Sequence, residues 1–369
     1  MKPEVSIDRV RAHAFEIPTD RREADGTLSW NSTTLVLVEA AAGDTIGTGY
    51  TYSDASIVGL IGGKLASIVK GMDAFAPESA WLAMQRAVRN LGREGLAATA
   101  ISAVDIALYD LKARLLELPL VSLLGSVRRE IPIYGSGGFT SYSDRELAEQ
   151  LGRWVAEQGC AYVKMKVGSE PGRDPQRVKV ARQAIGDRAG LFVDANGAYG
   201  RKQALGLAQV FAEQGVGWLE EPVSSDDLTG LRTIRRLVPS PIEIAAGEYA
   251  YTTDYARTML QAEAVDVQQA DVTRCGGVTG FLQIAALCEA FHTDLSGHCA
   301  PALHLHVACA APRLRHLEWF HDHVRIEHLL FEGAPRPRDG RIAPDLARPG
   351  HGLEFKHRDA ARYAVAGAS

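Results

Sequence analysis

The sequence has little cysteine, and what it has is not arranged to build a site. The chain has 369 residues and five cysteines, at positions 160, 275, 288, 299 and 309. Their number is odd and no C-x-x-C pair occurs. A disulfide framework needs paired cysteines and a thiolate metal site needs close spacing, so the sequence argues against both classes.

Other classes of protein are excluded by equally plain absences. No apolar run reaches the ~18 residues of a membrane span, and the first ten residues lack the apolar core of a secretory signal. The formal net charge is −5, which provides no basic surface for nucleic acid. The sequence also contains no glycine-rich phosphate loop and no G-x-S-x-G elbow. We therefore expect a cytoplasmic protein that binds neither membranes nor nucleic acid.

What is present is a composition and a length typical of a globular enzyme of about two domains. Hydrophobic residues make up 46% of the chain and charged residues 23%. Residues 1–125 predict a separate α+β domain. Residues 33–52 alternate around a Gly-Asp turn and predict an antiparallel hairpin, and residues 95–117 have the apolar spacing of a helix.

From residue 126 to about 325 the pattern becomes rhythmic. Short apolar runs alternate with amphipathic helical segments at intervals of roughly 20–30 residues, which is typical of a (β/α)8 barrel. The eight predicted strands are IPIYGS, YVKMKV, GLFVDAN, GWLEEP, IEIAAGE, AVDVQQAD, DLSGH and HLEWF. A doubly wound open sheet is the alternative, but its usual glycine-rich phosphate turn is missing. Residues 326–369 lose the rhythm and are predicted to pack back on other parts of the chain.

The second predicted barrel strand carries two positive charges on one face. Lys164 and Lys166 alternate with apolar residues, so both side chains point to the same side of the strand, the side that faces away from the covering helices. An ammonium group is rarely buried without a partner. The strand therefore predicts negative charge nearby inside the barrel.

The neighbouring strands supply that negative charge at their carboxyl ends, where a barrel has its active site. Asp194, Glu220 and Glu248 follow three successive strands. Three converging carboxylates repel unless a cation lies between them, and all-oxygen ligation suits Mg²⁺. We predict one Mg²⁺ per subunit, with a metal-free polar network as the alternative. Asn196 is predicted to support this site and to contact substrate, whereas Glu221 is expected to point to the opposite face in a structural role.

The remaining strand ends provide acids and bases. Lys164 is expected to neutralise negative charge on a bound oxyanion. Lys166 is expected to act as a base, because neighbouring cations lower the pKa of a desolvated lysine. Asp271 is expected to fix the tautomer of His298. Glu318, if protonated, is expected to donate a hydrogen bond to a substrate carboxylate. A Ser-His-Asp hydrolase would also use a His–Asp pair, but the elbow is absent. The set favours abstraction of a proton alpha to a carboxylate.

These residues resemble the motifs of the enolase superfamily, mandelate racemase subgroup, over essentially the whole chain. KMKVG resembles the K-x-K motif, VDAN, WLEEP and AAGE resemble the three metal-ligand motifs, and Asp271 with His298 resembles the His-Asp dyad of the subgroup. Glu318 in HLEWF resembles its eighth-strand acid. Asp271 distinguishes the chain from muconate-cycloisomerase-like members, which carry a base lysine on the sixth strand.

The resemblance implies a capping domain, completed by the C-terminal tail, whose loops near residues 15–32 and 48–56 close over the barrel. Polar residues in those loops, among them Trp30 and Tyr50, are predicted to contact a hydroxyl-rich carboxylate substrate. We expect dehydration of an acid sugar to a 2-keto-3-deoxy acid in carbohydrate catabolism, by a homo-oligomer. The alternatives are a racemase or epimerase and, more remotely, a non-catalytic binding barrel.

Overall fold

The structure, a computed structural model, describes residues 5–365. Residues 1–4 and 366–369, which begin the first and end the last of the three predicted segments, lie outside it. Within the described part of the chain no helix combines the length and the apolarity needed to cross a membrane.

The strands form a small cap sheet, a closed barrel and a short pair in the tail. They are β1 (Arg9–Ala24), β2 (Ser29–Ala42), β3 (Thr45–Tyr52), β4 (Ile131–Gly137), β5 (Tyr162–Lys166), β6 (Gly190–Asp194), β7 (Val216–Glu220), β8 (Glu243–Ala246), β9 (Val267–Ala270), β10 (Asp294–Gly297), β11 (Leu314–Phe320), β12 (Phe331–Glu332), β13 (Arg341–Ile342) and β14 (Glu354–Phe355).

The helices cover the cap sheet and surround the barrel. They are α1 (Ile57–Leu60), α2 (Ala66–Val69), α3 (Pro77–Ala87), α4 (Leu96–Leu115), α5 (Leu120–Leu124), α6 (Asp144–Gln158), α7 (Asp174–Ile185), α8 (Arg201–Glu213), α9 (Leu228–Leu237), α10 (Thr253–Gln261), α11 (Gly277–Ala290), α12 (Pro301–Ala310), α13 (His321–Leu330) and α14 (His357–Ala360). A π-helical turn (Ile61–Leu65) joins α1 to α2, and a 3₁₀ turn (Ala361–Tyr363) follows α14.

The cap domain is an antiparallel sheet, β1-β2-β3, packed against the long helix α4. The predicted hairpin around Gly43 joins β2 to β3. Close packing of α4 depends on two glycines of β3. A Cβ at Gly47 would lie 2.2 Å from the backbone nitrogen of Leu111, and one at Gly49 would lie 2.4 Å from the carbonyl oxygen of Ala103. Only glycine leaves room for the helix backbone there.

The eight predicted barrel strands are confirmed as β4–β11. They pair in parallel in chain order, and β11 closes the ring by pairing with β4. Side chains alternate across each strand, so Val163 and Met165 pack outward in the main apolar core while Lys164 and Lys166 point into the barrel. The barrel floor beneath them is aromatic and contains Tyr134, Phe192 and Trp218.

The tail contacts both the barrel and the cap. Strand β13 adds to the edge of β4, β12 pairs with β14, and Val365 donates its backbone N–H to the carbonyl of Ala14 in the cap sheet. The predicted boundary at residue 325 falls inside α13, because the last barrel helix begins directly after β11 and continues for ten residues.

The β1–β2 hairpin extends over the carboxyl end of the barrel. Its tip is so close that a Cβ at Gly26 would lie 2.4 Å from the carbonyl oxygen of Ala195 and 2.7 Å from that of Val167. Thr140, after β4, donates its backbone N–H to Ala24 and its hydroxyl to Asp25. The segment predicted as a loop over residues 15–32 is mostly strand, because β1 continues to Ala24 and β2 begins at Ser29. The segment over residues 48–56 is strand as far as Tyr52, where β3 ends.

Candidate active site

Lys164 lies at the centre of the ionisable groups and is fully buried. Its Nζ is 2.6 Å from Glu220 Oε1, 2.9 Å from Glu318 Oε1 and 3.3 Å from Asp194 Oδ2. Burial alone lowers the pKa of Lys164, but these carboxylates raise it well above its ordinary value. The ammonium is thus kept charged, as a fixed positive centre.

Lys166 lies one layer nearer the mouth. Its Nζ donates to Asp194 Oδ2 at 2.6 Å and to Asn196 Oδ1 at 3.0 Å. Burial lowers the pKa of Lys166, yet the Asp194 carboxylate outweighs this effect and raises it above the ordinary value. Among these side chains the paired carboxylate outweighs the field of Lys164, so a lowering of the pKa of Lys166 by neighbouring cations stays a prediction for the metal-bound site.

Asp194, Glu220 and Glu248 converge as predicted. One carboxylate oxygen from each lies within 4.8 Å of the others, and all three residues are buried. Burial and the nearby Asp194 raise the pKa of Glu220 to about 8, which is the effect expected of crowded anions. Glu248 Oε2 is buried and accepts no hydrogen bond from residues 5–365. An orphaned oxygen in a cluster of hard oxygen ligands fits a bound divalent cation such as Mg²⁺.

Glu221 does not follow the expected alternation to the opposite face. Its φ of 36° is left-handed, so the extended geometry that the alternation rule assumes ends at Glu220. Burial and the charges of Glu248, Asp194 and Glu220 raise the pKa of Glu221. Its buried Oε1 has no hydrogen-bond partner in the described part of the chain. The side chain therefore belongs to the electrostatic surroundings of the carboxylate cluster.

Asp271 and His298 form the predicted dyad. His298 Nδ1 lies 2.8 Å from Asp271 Oδ2, and Thr273 donates both its N–H and its hydroxyl to Asp271 Oδ1. Because an ionised carboxylate only accepts, Nδ1 carries a proton and Nε2 is left for chemistry. Burial lowers the pKa of His298, but Glu248, Glu318 and Asp271 raise it overall.

Glu318 serves as an acceptor in this structure. It accepts from Ser136 Oγ at 2.6 Å and from the backbone N–H of Cys299 at 3.0 Å. Burial raises the pKa of Glu318, but Lys164 and His298 lower it well below the ordinary value. The carboxyl is thus ionised here, in contrast to the protonated donor expected from the sequence.

Of the two cap residues predicted to contact substrate, Trp30 lies near the His298 dyad and Tyr50 lies away from it. Trp30 packs edge-on against Phe139 with centroids 5.8 Å apart, in a cluster that includes Cys299 beside His298. Tyr50, in contrast, is fully buried, and its hydroxyl donates to Glu327 at 2.7 Å. Tyr50 therefore joins the cap to α13 and does not face the carboxylate cluster.

Sequence reasoning missed three residues of the site. Ser136 lies near the end of the first barrel strand, two positions after Tyr134, so the same alternation that identified the lysines could have found it. Arg274 Nη1 lies 3.3 Å from Glu248 Oε1, and Cys299 Sγ lies 3.3 Å from His298 Nε2. Both lie in loops after strands, where no periodicity predicts side-chain direction.

Comparison with known families agrees with this geometry. Residues 146–360 match a family model described as enolase C-terminal domain-like, and residues 13–125 match the mandelate racemase / muconate lactonizing enzyme N-terminal domain.

Among characterised relatives, the chain is 33% identical to a 3,6-anhydro-alpha-L-galactonate cycloisomerase from Streptomyces coelicolor, over 97% of this chain and 99% of the relative. It is 34% identical to an L-talarate/galactarate dehydratase from Salmonella typhimurium, over 74% of this chain and 67% of the relative.

Solved structures show the same relationship. A mandelate racemase/muconate lactonizing enzyme-like protein from Rubrobacter xylanophilus is 52% identical, with a TM-score of 0.95 over 98% of this chain and 100% of the other. A racemase from Streptomyces coelicolor with bound magnesium is 32% identical, with a TM-score of 0.91 over 97% of this chain and 100% of the other.

Proposed function

Since the chain belongs to the mandelate racemase/muconate lactonizing enzyme family of the enolase superfamily, we propose that it abstracts the proton alpha to a carboxylate and dehydrates an acid sugar to a 2-keto-3-deoxy acid. The observation that carries the proposal is the convergence of Lys164, Lys166 and His298 around buried carboxylates beneath the cap hairpin.

Mg²⁺ is the proposed cofactor, held by Asp194, Glu220 and Glu248. When bound, the ion would neutralise the charge that develops on the substrate carboxylate as the alpha proton leaves. The chain itself adds Lys164, whose fixed charge contributes to the same stabilisation. The bound magnesium of the racemase from Streptomyces coelicolor supports this cofactor.

Lys166 and His298 are the proposed bases. The closed order of the barrel leaves two strands between β5 and β10 in one direction and four in the other, so the two side chains approach the centre from different sides. The contact with Asp194 holds Lys166 in place, and Asp271 holds the proton of His298 on Nδ1. Each base can therefore abstract the C2 proton of one of the two configurations at C2.

Dehydration also needs an acid at C3, because hydroxide is a poor leaving group. General-acid help is worth about 10²–10⁴ in rate. His298 is the proposed donor, since the carboxylates of Glu248, Glu318 and Asp271 raise its pKa. A racemase needs no such donor, because reprotonation at C2 ends its cycle.

Cycloisomerisation is the second candidate, favoured by the full-length similarity to the 3,6-anhydro-alpha-L-galactonate cycloisomerase. In a 3,6-anhydro acid the oxygen on C3 belongs to an ether bridge. Abstraction at C2 followed by cleavage of the C3–O bond would then open the ring, and the leaving oxygen would stay in the molecule. The same residues would catalyse both reactions. Which reaction occurs would depend on whether the oxygen on C3 of the substrate is a hydroxyl or part of an ether bridge.

The test is a product assay with Mg²⁺ and a panel of sugar acids, 3,6-anhydro acids and sugar lactones. Dehydration is expected to give a semicarbazide-reactive 2-keto-3-deoxy acid from at least one open-chain acid. Exclusive formation of C2 epimers would replace the dehydratase by a racemase. Keto acid formation from the anhydro acids alone would favour the cycloisomerase.

Metal dependence is tested with the same substrates. Exhaustive chelation should abolish turnover, and added Mg²⁺ should restore it. Asp194→Asn, which removes one ligand charge, should bind Mg²⁺ far more weakly. Full activity of the chelated protein would contradict the proposed cofactor.

A further inference from the structure

A second group of metal-ligating side chains lies where the cap hairpin meets the barrel. Asp20, Glu23 and His321 each place one ligand atom within 4.8 Å of the other two. Asp20 and Glu23 belong to β1, and His321 is the first residue of α13, directly after β11. None of the three is a candidate ligand in the strand-end site.

A bulge in β1 brings the two acids to the same place. Pro18 faces Ser32 and Glu23 faces Trp30, so five steps along β1 oppose two along β2 and three residues are extra. In a regular strand, residues three apart point to opposite faces. The bulge changes the direction of the chain and lets Asp20 and Glu23 approach His321 together.

The side chain of Glu23 is fully buried and incompletely paired. Its Oε2 accepts from Trp30 Nε1 at 2.9 Å, but its Oε1 has no hydrogen-bond partner among the described residues. A buried carboxylate oxygen without a donor is costly, and a cation would satisfy it.

The nearby positive side chains are engaged elsewhere. Arg325 donates to the carbonyl of Pro18 and to Asp322, and Arg21 pairs with Glu146. His321 Nε2 lies 3.1 Å from Asp20 Oδ2, so these two ligands already face each other. The group therefore offers one nitrogen and two carboxylates, with no arginine bound to Glu23.

We propose that Asp20, Glu23 and His321 bind a Zn²⁺-type divalent cation that links the cap hairpin to the barrel. An imidazole with two carboxylates suits a borderline cation better than Mg²⁺, which prefers oxygen ligands and water. In a tetrahedral site, metal–ligand bonds of about 2.0–2.2 Å place ligand atoms roughly 3.3–3.6 Å apart, so the three side chains, whose ligand atoms lie within 4.8 Å of one another, must close in on the ion to complete the site. The ion enters from a surface cleft of about 360 Å³ lined by Asp20 and His321.

The test counts bound Zn²⁺ by equilibrium dialysis in the presence of saturating Mg²⁺. The wild-type chain should bind one Zn²⁺ more than Asp20→Asn, Glu23→Gln or His321→Gln. Asp20 is half-exposed, so its variant should fold normally. Glu16→Gln is the matched control, because Glu16 lies on the same strand and, among the side chains that the structure describes, its carboxylate accepts a hydrogen bond only from Ser32.

Thermal unfolding gives a second readout. With the strand-end site kept saturated by Mg²⁺, Zn²⁺ should raise the melting temperature of the wild type and of Glu16→Gln, but not that of Asp20→Asn, because an ion that bridges two parts of the chain binds only the folded state. Equal Zn²⁺ counts in the wild type and Asp20→Asn, or an equal rise in melting temperature, would overturn the proposal.

Discussion

At the level of single residues, the two lysines of β5 show how a barrel interior accommodates positive charge. Lys164 has three carboxylates within 3.3 Å, and Lys166 has Asp194 and the amide of Asn196. Desolvating an ammonium costs several kcal/mol unless partners compensate. The buried lysines and carboxylates therefore compensate each other's charge. The same ion pairs also hold the side chains in position for the proposed reaction.

The two proposed bases can be separated by isotope exchange. Lys166→Ala and His298→Asn should each reduce turnover by about 10²–10⁴-fold, the usual contribution of a positioned acid or base. In D₂O, His298→Asn should still exchange the C2 proton of the configuration presented to Lys166, as followed by proton NMR. Unimpaired turnover in both variants would show that neither residue is a base.

The role of Asp271 can be separated from simple structural support. Asp271→Asn should lower kcat by about 10–100-fold, because an amide no longer fixes the proton on His298 Nδ1. Thr273→Val removes one hydrogen bond to Asp271 but leaves its charge, so its loss should be smaller. The pH profile of kcat should shift in Asp271→Asn. An unchanged profile would mean that Asp271 does not act through His298.

At the level of secondary-structure elements, the sequence predicts the strands, which depend on periodicity. It does not predict the side-chain directions in the loops that follow them. All eight barrel strands were found, because alternation and spacing report burial directly. The direction of Glu221 and the site contacts of Arg274 and Cys299 were missed, since each follows a strand end. There the left-handed φ of Glu221 (36°) and Cys299 (53°) breaks the alternation.

The tip of the β1–β2 hairpin is predicted to position the catalytic groups beneath it. Gly26→Ala would place a Cβ against the backbone carbonyls of Ala195 and Val167, which follow Asp194 and Lys166. We expect kcat/KM to fall by roughly 10–100-fold, because small displacements of catalytic groups lower the rate by such factors. The melting temperature should change little. Gly59→Ala in α1, where a Cβ meets nothing within 4 Å, should behave as wild type. Equal kinetics in both variants would show that the tip does not position the site.

At the level of the whole molecule, cap and barrel meet through buried carboxyl groups. Glu327 in α13 accepts from Tyr50, and Asp105 in α4 accepts from the backbone and hydroxyl of Thr279. Burial raises the pKa of both carboxyls to about 8. The folded state therefore holds protons that the unfolded chain releases at lower pH.

This difference predicts how stability depends on pH. The contribution of Glu327 is complete below its ordinary pKa of 4.5 and is lost as pH rises to about 8. Glu327→Gln cannot lose a proton, so its free energy of unfolding relative to wild type should rise over that range. Urea unfolding at several pH values measures this, with the exposed Glu332→Gln as control. A pH-independent difference would contradict the raised pKa.

Abstraction of the proton alpha to a carboxylate is the step that a dehydratase, a cycloisomerase and a racemase would share. Its most direct measurement is proton NMR of the C2–H signal when the wild-type protein, with Mg²⁺, is incubated in D₂O with the sugar-acid panel. At least one acid should lose this signal, and Lys166→Ala combined with His298→Asn should abolish the loss. Retention of C2–H in every acid with the wild type, or unchanged loss with the double variant, would contradict it.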